Sequence, residues 1–502
     1  MKKYSDASAV TWDAWFVNRD NATHAFYLQN GPLTQQDDPR AGWAIGHAVT
    51  ENGMDWTALP SVLPPRLDPD DPQDFHSKFT GCAVNHDDVC YLFYTMRDRE
   101  RGNQCIGVAI SHDWVRFEPW EGNPVIVNET QPISVSAGGE GTLIGYENLS
   151  QYDWNIVDCR DFIVVKQGEG YVGYWAAAAD LGGECPVGVI VMARSRDLLH
   201  WDDQRIVYFV DHHGVLEVPD VFEMDGKWVL TCLSGMNYSG RAVTGDAYAS
   251  NATIVAYADT CDGPFEELIE DNILIAGPVH SGFTCRSVLR NGARYLYYID
   301  RAAGKNGFSL PKELHLIESK LRATYCRALD ERLGEPLPLC FDKEQNSFAW
   351  RTFGGTHTME NGTLTLTTAP KDYHSVSMPM PQDIATEGSV MLRARLQVSG
   401  EGGGLFLRTA NCPYLVLLEP THGRVALWRL YSFENVATRC YPLREGGVYE
   451  IRCILIDGVI EVYIDDVLLL QCGLPTYPLS HVGFAADRGR LVADHIVIQG
   501  MK

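Results

Sequence analysis

A repeated pattern of strands and turns constrains the fold of this chain more than any other feature of its sequence. Four segments place an Asp or Asn in a polar turn, follow it with an aromatic residue and lead into a short strand. Their last aromatic residues, 61, 84 and 64 positions apart, are Trp56, Phe117, Trp201 and Phe265. Between these segments an apolar strand turns back into an aromatic-rich strand, which is the pattern of a β-hairpin. These hairpins are predicted at residues 81–95, 161–176, 219–230 and 285–299.

One hairpin of each kind gives about four strands, which is the blade of a β-propeller. With the first segment, residues 13–29, the repeats predict five blades. The best helical pattern of the chain, residues 313–333, comes where the repeats stop. We therefore predict an all-β fold that begins with a five-bladed propeller over residues 1–335.

The composition changes after about residue 345. Alternating apolar and polar residues at 362–367, 390–396 and 448–455, separated by frequent turns, are typical of a β-sandwich. An acidic turn between residues 459–464 and 466–470 marks the clearest hairpin. A jelly-roll-like β-sandwich is therefore predicted over residues 345–502.

The charge of the chain limits its partners. A formal net charge of −24 argues against nucleic acid and acidic membrane surfaces, because binding them usually needs clustered Lys and Arg. The sequence contains no run of about 18 apolar residues, and its start lacks the apolar stretch of a signal peptide. We expect a cytoplasmic protein with no membrane partner.

No cofactor is expected from the motifs. The histidines lack metal-binding spacing, and no Gly-rich phosphate loop follows a strand and opens a helix, so the sequence predicts neither a metal nor a nucleotide. The 14 cysteines are scattered without a C-x-x-C pair, which favours reduced, buried, small apolar residues. The oligomeric state is left open.

Three acidic segments are spaced so that each opens a different blade. They place Asp13 in Trp-Asp-Ala-Trp, Asp161 in Cys-Arg-Asp-Phe and Glu217 in Glu-Val-Pro-Asp. Glycoside hydrolysis needs two carboxyl groups, one to protonate the leaving oxygen and one to attack or to activate water. A third carboxylate orients sugar hydroxyls. The spacing therefore predicts one sugar pocket with three catalytic residues: Asp13, Asp161 and Glu217.

These segments resemble motifs of glycoside hydrolase family 32, which processes sucrose and fructans. Arg-Asp at 160–161 is similar to the family's Arg-Asp-Pro, and residues 217–220 are similar to its Glu-Cys-Pro-Asp. Residues 12–15 are instead similar to the Trp-Asp-Ser-Trp of family 68, since the Asn-Asp-Pro-Asn-Gly of family 32 is absent. Further local matches, in the family's order, are residues 46–50, 79–84, 91–95 and 117–126. The resemblance covers nearly the whole chain and implies a five-bladed propeller followed by a β-sandwich.

The resemblance also implies roles. Asp13 is expected to be an ionised nucleophile that stabilises an oxocarbenium-like transition state. Glu217 is expected to be the acid/base, kept protonated by partial burial or by a neighbouring carboxylate. Asp161, beside Arg160, is expected to bind sugar hydroxyls. Glu184 matches the family's Glu-Cys-Pro letter for letter but lies inside a blade, so its context favours Glu217.

Other residues are expected to contact the sugar. Aromatic rings can stack on the apolar face of a sugar, and Gln29 stands where family 32 has a substrate-facing glutamine. The predicted substrate-binding residues are Trp12, Trp15, Gln29, Trp43, Phe79 and Arg160. The histidines 212–213 are placed at the rim, and residues 63–78 and 137–158 are expected to form subsite walls.

The main hypothesis is a retaining β-fructofuranosidase-like enzyme acting on sucrose, fructo-oligosaccharides or fructan, by hydrolysis or by transfer. Its two reacting carboxyl groups should lie about 5 to 5.5 Å apart. One alternative is an inverting arabinofuranosidase-type propeller, with a separation of about 6.5 to 9.5 Å. The other is a glycan-binding propeller without catalysis.

Overall fold

The computed structural model is built almost wholly of β-strands. The described residues contain 37 strands and two short 3-10 helices, so the predicted all-β class is confirmed. No helix in this part of the chain is long and apolar enough to cross a membrane. The described residues are 3–7, 9–30, 43–63, 78–97, 104–129, 131–144, 159–184, 186–210, 215–234, 251–268, 271–277, 283–302, 305–337, 349–372, 374–380, 389–409, 412–432, 434–474 and 479–502.

Four separate, mainly antiparallel sheets follow one another along the first half of the chain. The first contains β1 Val10–Arg19, β2 Ala22–Asn30, β3 Trp43–Thr50 and β4 Thr57–Leu63. The second contains β5 Phe79–His86, β6 Val89–Arg97, β7 Gln104–Ser111 and β8 Glu118–Pro119. The third contains β9 Ile133–Val135, β10 Glu140–Ile144, β11 Cys159–Gln167, β12 Gly170–Asp180, β13 Val187–Ser195 and β14 Asp202–Phe209. The fourth contains β15 Leu216–Met224, β16 Lys227–Ser234, β17 Asn251–Ala258, β18 Glu266–Glu267 and β19 Ile273–Gly277.

The remaining strands are linked by hydrogen bonds into one extended sheet. Its first part contains β20 Phe283–Arg290, β21 Ala293–Ala302, β22 Lys305–Phe308, β23 Lys312–Ile317 and β24 Lys320–Tyr325. A 3-10 helix, Arg327–Arg332, and β25 Leu333–Pro336 follow. The rest contains β26 Ala349–Phe353, β27 Gly355–Glu360, β28 Thr363–Thr368, β29 His374–Met380, β30 Ser389–Thr409, β31 Pro413–Glu419, a 3-10 helix Pro420–His422, β32 Arg424–Arg429, β33 Glu434–Cys440, β34 Val448–Ile456, β35 Val459–Ile464, β36 Val467–Gly473 and β37 Leu479–Met501.

Five strands, each at the edge of its sheet, pack against one another in a ring. β1 contacts β5, β5 contacts β11, β11 contacts β15, β15 contacts β20, and β20 returns to β1. Apolar clusters fill the spaces between neighbouring units. The arrangement is therefore propeller-like, and a residue near the start of any of these strands faces its counterparts on the others.

The repeated turns of the sequence join β3 to β4, β7 to β8, β13 to β14 and β17 to β18. Their polar residues bond the backbone of the turn: Asp113 Oδ1 accepts hydrogen bonds from the N–H groups of Val115 and Arg116, at 2.9 and 2.8 Å. Asp197 Oδ1 does the same in the next unit for Leu199 and His200. The predicted hairpins form as β5–β6, β11–β12, β15–β16, β20–β21 and β35–β36.

The helix expected over residues 313–333 is wrong. This segment contains the hairpin β23–β24 and a single 3-10 helix. Glu318 and Ser319 both adopt positive φ, 52° and 63°, as a tight two-residue hairpin turn requires. Strand pairing therefore overrides the helical period. The domain boundary near residues 335–345 lies mostly outside the described residues and stays a prediction.

The cysteines are mostly small core residues, as predicted. Among the described cysteines ten are buried and none forms a disulfide. Cys412 is half-buried and Cys440 is exposed.

Candidate active site

Each strand of the ring carries a β-bulge, which re-aims side chains locally. The three predicted carboxylates lie at or beside three of these bulges. The register shifts fall at residues 11–14 in β1, 79–81 in β5, 160–163 in β11, 217–220 in β15 and 283–286 in β20. The fold thus places five irregular backbone segments around one centre.

Asp13 is buried, with 8% of its surface exposed. Thr80 Oγ1, from the bulge of β5, donates a hydrogen bond of 2.6 Å to Asp13 Oδ2. Burial, together with the charges of Asp161 and Glu217, raises the pKa of Asp13 to about 7, against the opposing effect of the Thr80 hydrogen bond. The structure brings the three predicted carboxylates together. Thr95 Oγ1 donates to the carbonyl oxygen of Thr80 and accepts from the N–H of Asp161, and Arg160 contacts both Asp161 and Glu217.

Asp161 is fixed from three directions. Its backbone has a φ of 62°, and its N–H donates to Thr95 Oγ1 at 3.0 Å. Its Oδ2 accepts a 2.9 Å hydrogen bond from the N–H of Val218. Burial raises the pKa of Asp161 to about 6, with Arg160 lowering it and Glu217 raising it.

Glu217 lies at the more open side of the cluster. Its side chain is 40% exposed, against 6% for that of Asp161. Arg160 bridges the two, with Nη2 3.4 Å from Glu217 Oε1 and Nε 3.6 Å from Asp161 Oδ2. The next residue, Val218, has a φ of 48°, which is rare for a β-branched side chain. The hydrogen bond to Asp161 holds this conformation, so Asp161 helps to position Glu217.

Arg286 is a buried cation beneath the cluster that sequence reasoning missed. It is 1% exposed, and its Nη2 donates to the carbonyl oxygen of Asp161 at 3.1 Å. Its Nε and Nη1 have no hydrogen-bond partner among the described residues. Burial lowers the pKa of Arg286, whereas Asp220, Asp161 and Asp13 raise it. Arg286 therefore offsets part of the negative charge of the site.

The predicted aromatic residues differ in position. Trp15 is 1% exposed and packs in the apolar cluster between the first two sheets, so it does not present a surface to a sugar. Trp12 and Trp43 are half-buried against the same cluster. Phe79 is half-buried and directly precedes Thr80, so it lies beside the site.

Gln29 pairs with Thr11 at the edge of the β1 bulge and is engaged by local hydrogen bonds. Its Nε2 donates to Asp6 Oδ2 at 2.7 Å, and Ser61 Oγ donates to its Oε1. Asp6 also accepts a hydrogen bond from the hydroxyl of Tyr27. Both ends of the Gln29 amide are thus engaged with protein groups in this structure.

The remaining predictions concern Glu184, two histidines and the subsite walls. Glu184 is exposed between β12 and β13. The histidines 212–213 and most of the predicted subsite walls, residues 64–77 and 145–158, lie outside the described residues. Within the described ranges no group of three or more His, Cys, Asp or Glu side chains is arranged to hold a metal.

A signal for two of the missed residues is present in the sequence. Residues 79–82 read Phe-Thr-Gly-Cys and residues 283–286 read Phe-Thr-Cys-Arg. Both stretches begin a ring strand and contain its bulge. Alignment of the repeats on the acidic segments would have placed Thr80 and the 284–286 bulge at the site.

Comparison with known proteins supports the predicted family resemblance. Residues 16–137 match the model of the glycosyl hydrolases family 32 N-terminal domain. A sucrose-6-phosphate hydrolase of Escherichia coli is 26% identical over 234 residues, which are 45% of this chain and 41% of that protein. The chain thus aligns with less than half the length of this curated relative. The resemblance to family 32 is confirmed, and the matches support the predicted class, a glycoside hydrolase.

Solved structures of other proteins share this fold. A Bombyx mori GH32 beta-fructofuranosidase has a TM-score of 0.68 at 17% identity, over 100% of this chain and 93% of its own. An exo-inulinase from Aspergillus awamori has a TM-score of 0.66 at 15% identity, over 100% and 98%. At these identities the likeness concerns the fold.

Proposed function

We propose that this protein is a retaining β-fructofuranosidase-like glycoside hydrolase that releases fructosyl units from sucrose, fructo-oligosaccharides or fructan. The observation that carries the proposal is the convergence of Asp13, Asp161 and Glu217 on bulged strands of three different sheets. The match of residues 16–137 to the family 32 model supports the substrate class.

The burial of each carboxyl group suits a separate role. Asp13, buried and held by Thr80, would attack the anomeric carbon as the carboxylate, while the bond from that carbon to the leaving oxygen breaks. Glu217, more exposed, would give its proton to the leaving oxygen. A water molecule would then give a proton to Glu217 and attack the same carbon, which frees Asp13. Asp161 would bind sugar hydroxyls throughout.

We infer also that the ring has five blades and that a β-sandwich follows it. Strands β20 to β24 pair antiparallel, and the contacts of β20 with β1 and β15 support a fifth blade that closes the ring. An apolar cluster drawn from residues 364 to 498 supports a second domain. The long strands β30 and β37 pair with each other along most of their length, which suits strands that run through both sheets of a sandwich.

The direct test of activity is sugar release. The purified protein should release fructose from at least one of sucrose, kestose-type oligosaccharides, inulin and levan, followed by chromatography. Glu217→Gln should lower kcat at least about 100-fold, because it removes the transferable proton. Glu184→Gln is the matched control and should keep full activity. Release of arabinose from an arabinofuranosyl substrate, with none from the fructosides, would refute the substrate class.

The activity should fall as the pH drops below neutrality. Asp13 must be ionised to attack, and its pKa in the free protein is raised to about 7, so protonation removes the nucleophile over the range below that pH. The acid limb of the pH profile of kcat/KM, which reports the free enzyme, should therefore have its midpoint near pH 7 rather than near 4.

Replacement of Arg286 should shift the midpoint of the acid limb of the kcat/KM profile. A nearby cation favours the ionised form of a carboxyl group, commonly by one pKa unit or more. Arg286→Met should therefore shift the limb upward by about one pH unit, and Arg286→Lys should shift it less. Arg294→Met, which removes a half-buried guanidinium bonded to Ser287 from the same hairpin, should leave the limb in place. An unchanged limb in Arg286→Met would exclude this electrostatic role.

A further inference from the structure

A cavity lies in the C-terminal half of the chain, apart from the carboxylate site. It has a volume of about 440 Å³ and lies over five neighbouring strands, β29, β37, β30, β31 and β32. The main apolar core contains the alternate residues of the same strands, such as Leu405, Val416 and Leu427. The cavity thus lies on the face of the sheet away from that core.

The strand register arranges this face in rows. Paired residues share a face of the sheet, so one row runs His374, Asp487, Gly402, Glu419 and Arg424 across the five strands. The next row consists of small or apolar residues: Val376, Ala485, Gly404, Leu417 and Ala426. A third row ends with Phe406, Leu415 and Trp428. The first row therefore forms a polar edge of the cavity, the third row forms an aromatic edge, and the row of small or apolar residues between them forms its floor.

Internal hydrogen bonds fix one side of the cavity. Glu419 is 5% exposed, and its Oε2 accepts a hydrogen bond of 2.6 Å from Arg424 Nε. Its Oε1 accepts one of 2.7 Å from the indole N–H of Trp428. The Arg424 guanidinium lies 5.9 Å from the centre of the Trp428 ring. The ring is thus held in one orientation beside the floor.

The other side offers an acceptor. Asp487 Oδ1 is buried and receives no hydrogen bond from the described residues. The side-chain nitrogens close to it are His374 Nδ1 at 3.3 Å and Arg488 Nε at 3.7 Å. Leaving such an oxygen without a donor is costly, so a hydroxyl or an N–H group of a ligand would be stabilised there.

The charges of the cavity favour a neutral ligand. Three carboxylates, of Glu401, Glu419 and Asp487, face three guanidinium groups, of Arg424, Arg429 and Arg488. A polyanion would meet the carboxylates, and a cation would meet the guanidinium groups. A neutral molecule with one apolar face and several hydroxyls matches the aromatic edge, the floor and the polar row together.

We propose that this cavity is a second saccharide-binding site, which takes a neutral sugar or the end of a glycan chain with one ring face against Trp428 and hydroxyls toward Asp487. Gly402 leaves the polar row open at its centre. A Cβ at this position would lie 3.2 Å from the carbonyl oxygen of Leu418, 3.4 Å from Glu419 Cγ and 3.8 Å from Asp487 Cβ, so a larger side chain there would crowd the polar row that borders the cavity.

The test is calorimetric titration of the full chain, carrying Asp13→Asn to prevent turnover, with sucrose, inulin-type trisaccharide, inulin, levan and maltotriose. At least one probe should bind, and Trp428→Ala, Asp487→Asn and Gly402→Leu should each weaken that binding at least tenfold, which is about 1.4 kcal/mol. Tyr431→Ala, which removes a 71% exposed ring outside the cavity, should bind like the parent.

Three results would overturn the proposal. The first is binding that Trp428→Ala and Gly402→Leu leave unchanged. The second is that no probe binds at millimolar concentration. The third is self-association of the chain that Trp428→Ala abolishes and that added sugar does not change. The activity of Trp428→Ala in the background with Asp13 intact is measured separately and should be unchanged on sucrose. A failure of the proposed enzymatic function would appear in that assay and not in the titration.

Discussion

Replacement of Asp13 by asparagine is expected to abolish sugar release and to stabilise the protein above pH 7. Loss of the nucleophile should lower kcat by a factor of about 10⁴ or more. The gain in stability follows from the burial that raises the pKa of Asp13 from 3.8 to about 7. Because this pKa is raised on folding, the stability linked to the protonated group is fully present below about pH 4 and is lost as the pH rises through 7.

Asparagine avoids this loss because it does not ionise. The shift corresponds to at most about 4 kcal/mol at alkaline pH, so Asp13→Asn should unfold at a higher urea concentration than the parent at pH 8. The difference should shrink as the pH is lowered toward 4. Asp202→Asn, at an exposed position, should show neither effect. A variant that keeps activity, or one with the same stability difference at pH 8 and pH 4, would contradict the account of Asp13.

The second large effect is expected from a buried ion pair outside the site. Lys312 and Glu461 bond each other with both side chains fully buried. The hydroxyls of Tyr298 and Tyr463 donate to Glu461 at 2.6 and 2.7 Å, and Lys312 Nζ donates to Leu310 O. Although burial alone raises the pKa of Glu461, Lys312 brings the pKa below its usual value. The cluster joins β23 of the ring region to β35.

Lys312→Met leaves a carboxylate buried without its cation and should cost about 3 to 5 kcal/mol of folding free energy. Lys312→Met combined with Glu461→Gln should recover much of this loss, because the uncharged amide accepts from one tyrosine hydroxyl through its oxygen and donates to the other through its N–H group. The exposed pair Lys227–Asp259 is the matched control, and Lys227→Met should change stability by less than about 1 kcal/mol. Urea denaturation measures all three, and an equal effect of the two Lys→Met changes would refute the importance of the buried pair.

Much of the site was predictable because the repeats place equivalent strands around one centre. The turns that contain Asp or Asn and an aromatic residue marked the ends of β3, β7, β13 and β17. The acidic segments marked three of the ring strands, β1, β11 and β15. The left-handed backbone at Asp161 and Val218 was not predictable, because valine rarely adopts it and hydrogen bonds between residues far apart in sequence hold it. Arg286 was missed for a related reason. The role of a charged residue in an apolar strand depends on the residues that it contacts in the folded protein, and the sequence alone does not give these contacts.

Two other predictions failed because a local pattern competes with tertiary packing. The period of residues 313–333 resembles a helix, yet pairing with β21 across the register of Tyr295 and Glu313 makes the segment a strand. Trp15 flanks Asp13 in sequence, as Trp12 does, but it packs into the space between the first two sheets. Proximity in sequence to a predicted catalytic residue therefore did not decide whether the tryptophan is exposed.

The most direct test of the central claim is the configuration of the first product. Fructose released from sucrose or inulin in deuterated buffer should appear first as the β anomer by proton-decoupled carbon NMR, before mutarotation. Two displacements at one carbon, by Asp13 and then by water, retain the configuration. Initial appearance of the α anomer would mean a single displacement, with Asp13 acting as a base, and would contradict the nucleophilic role assigned to it.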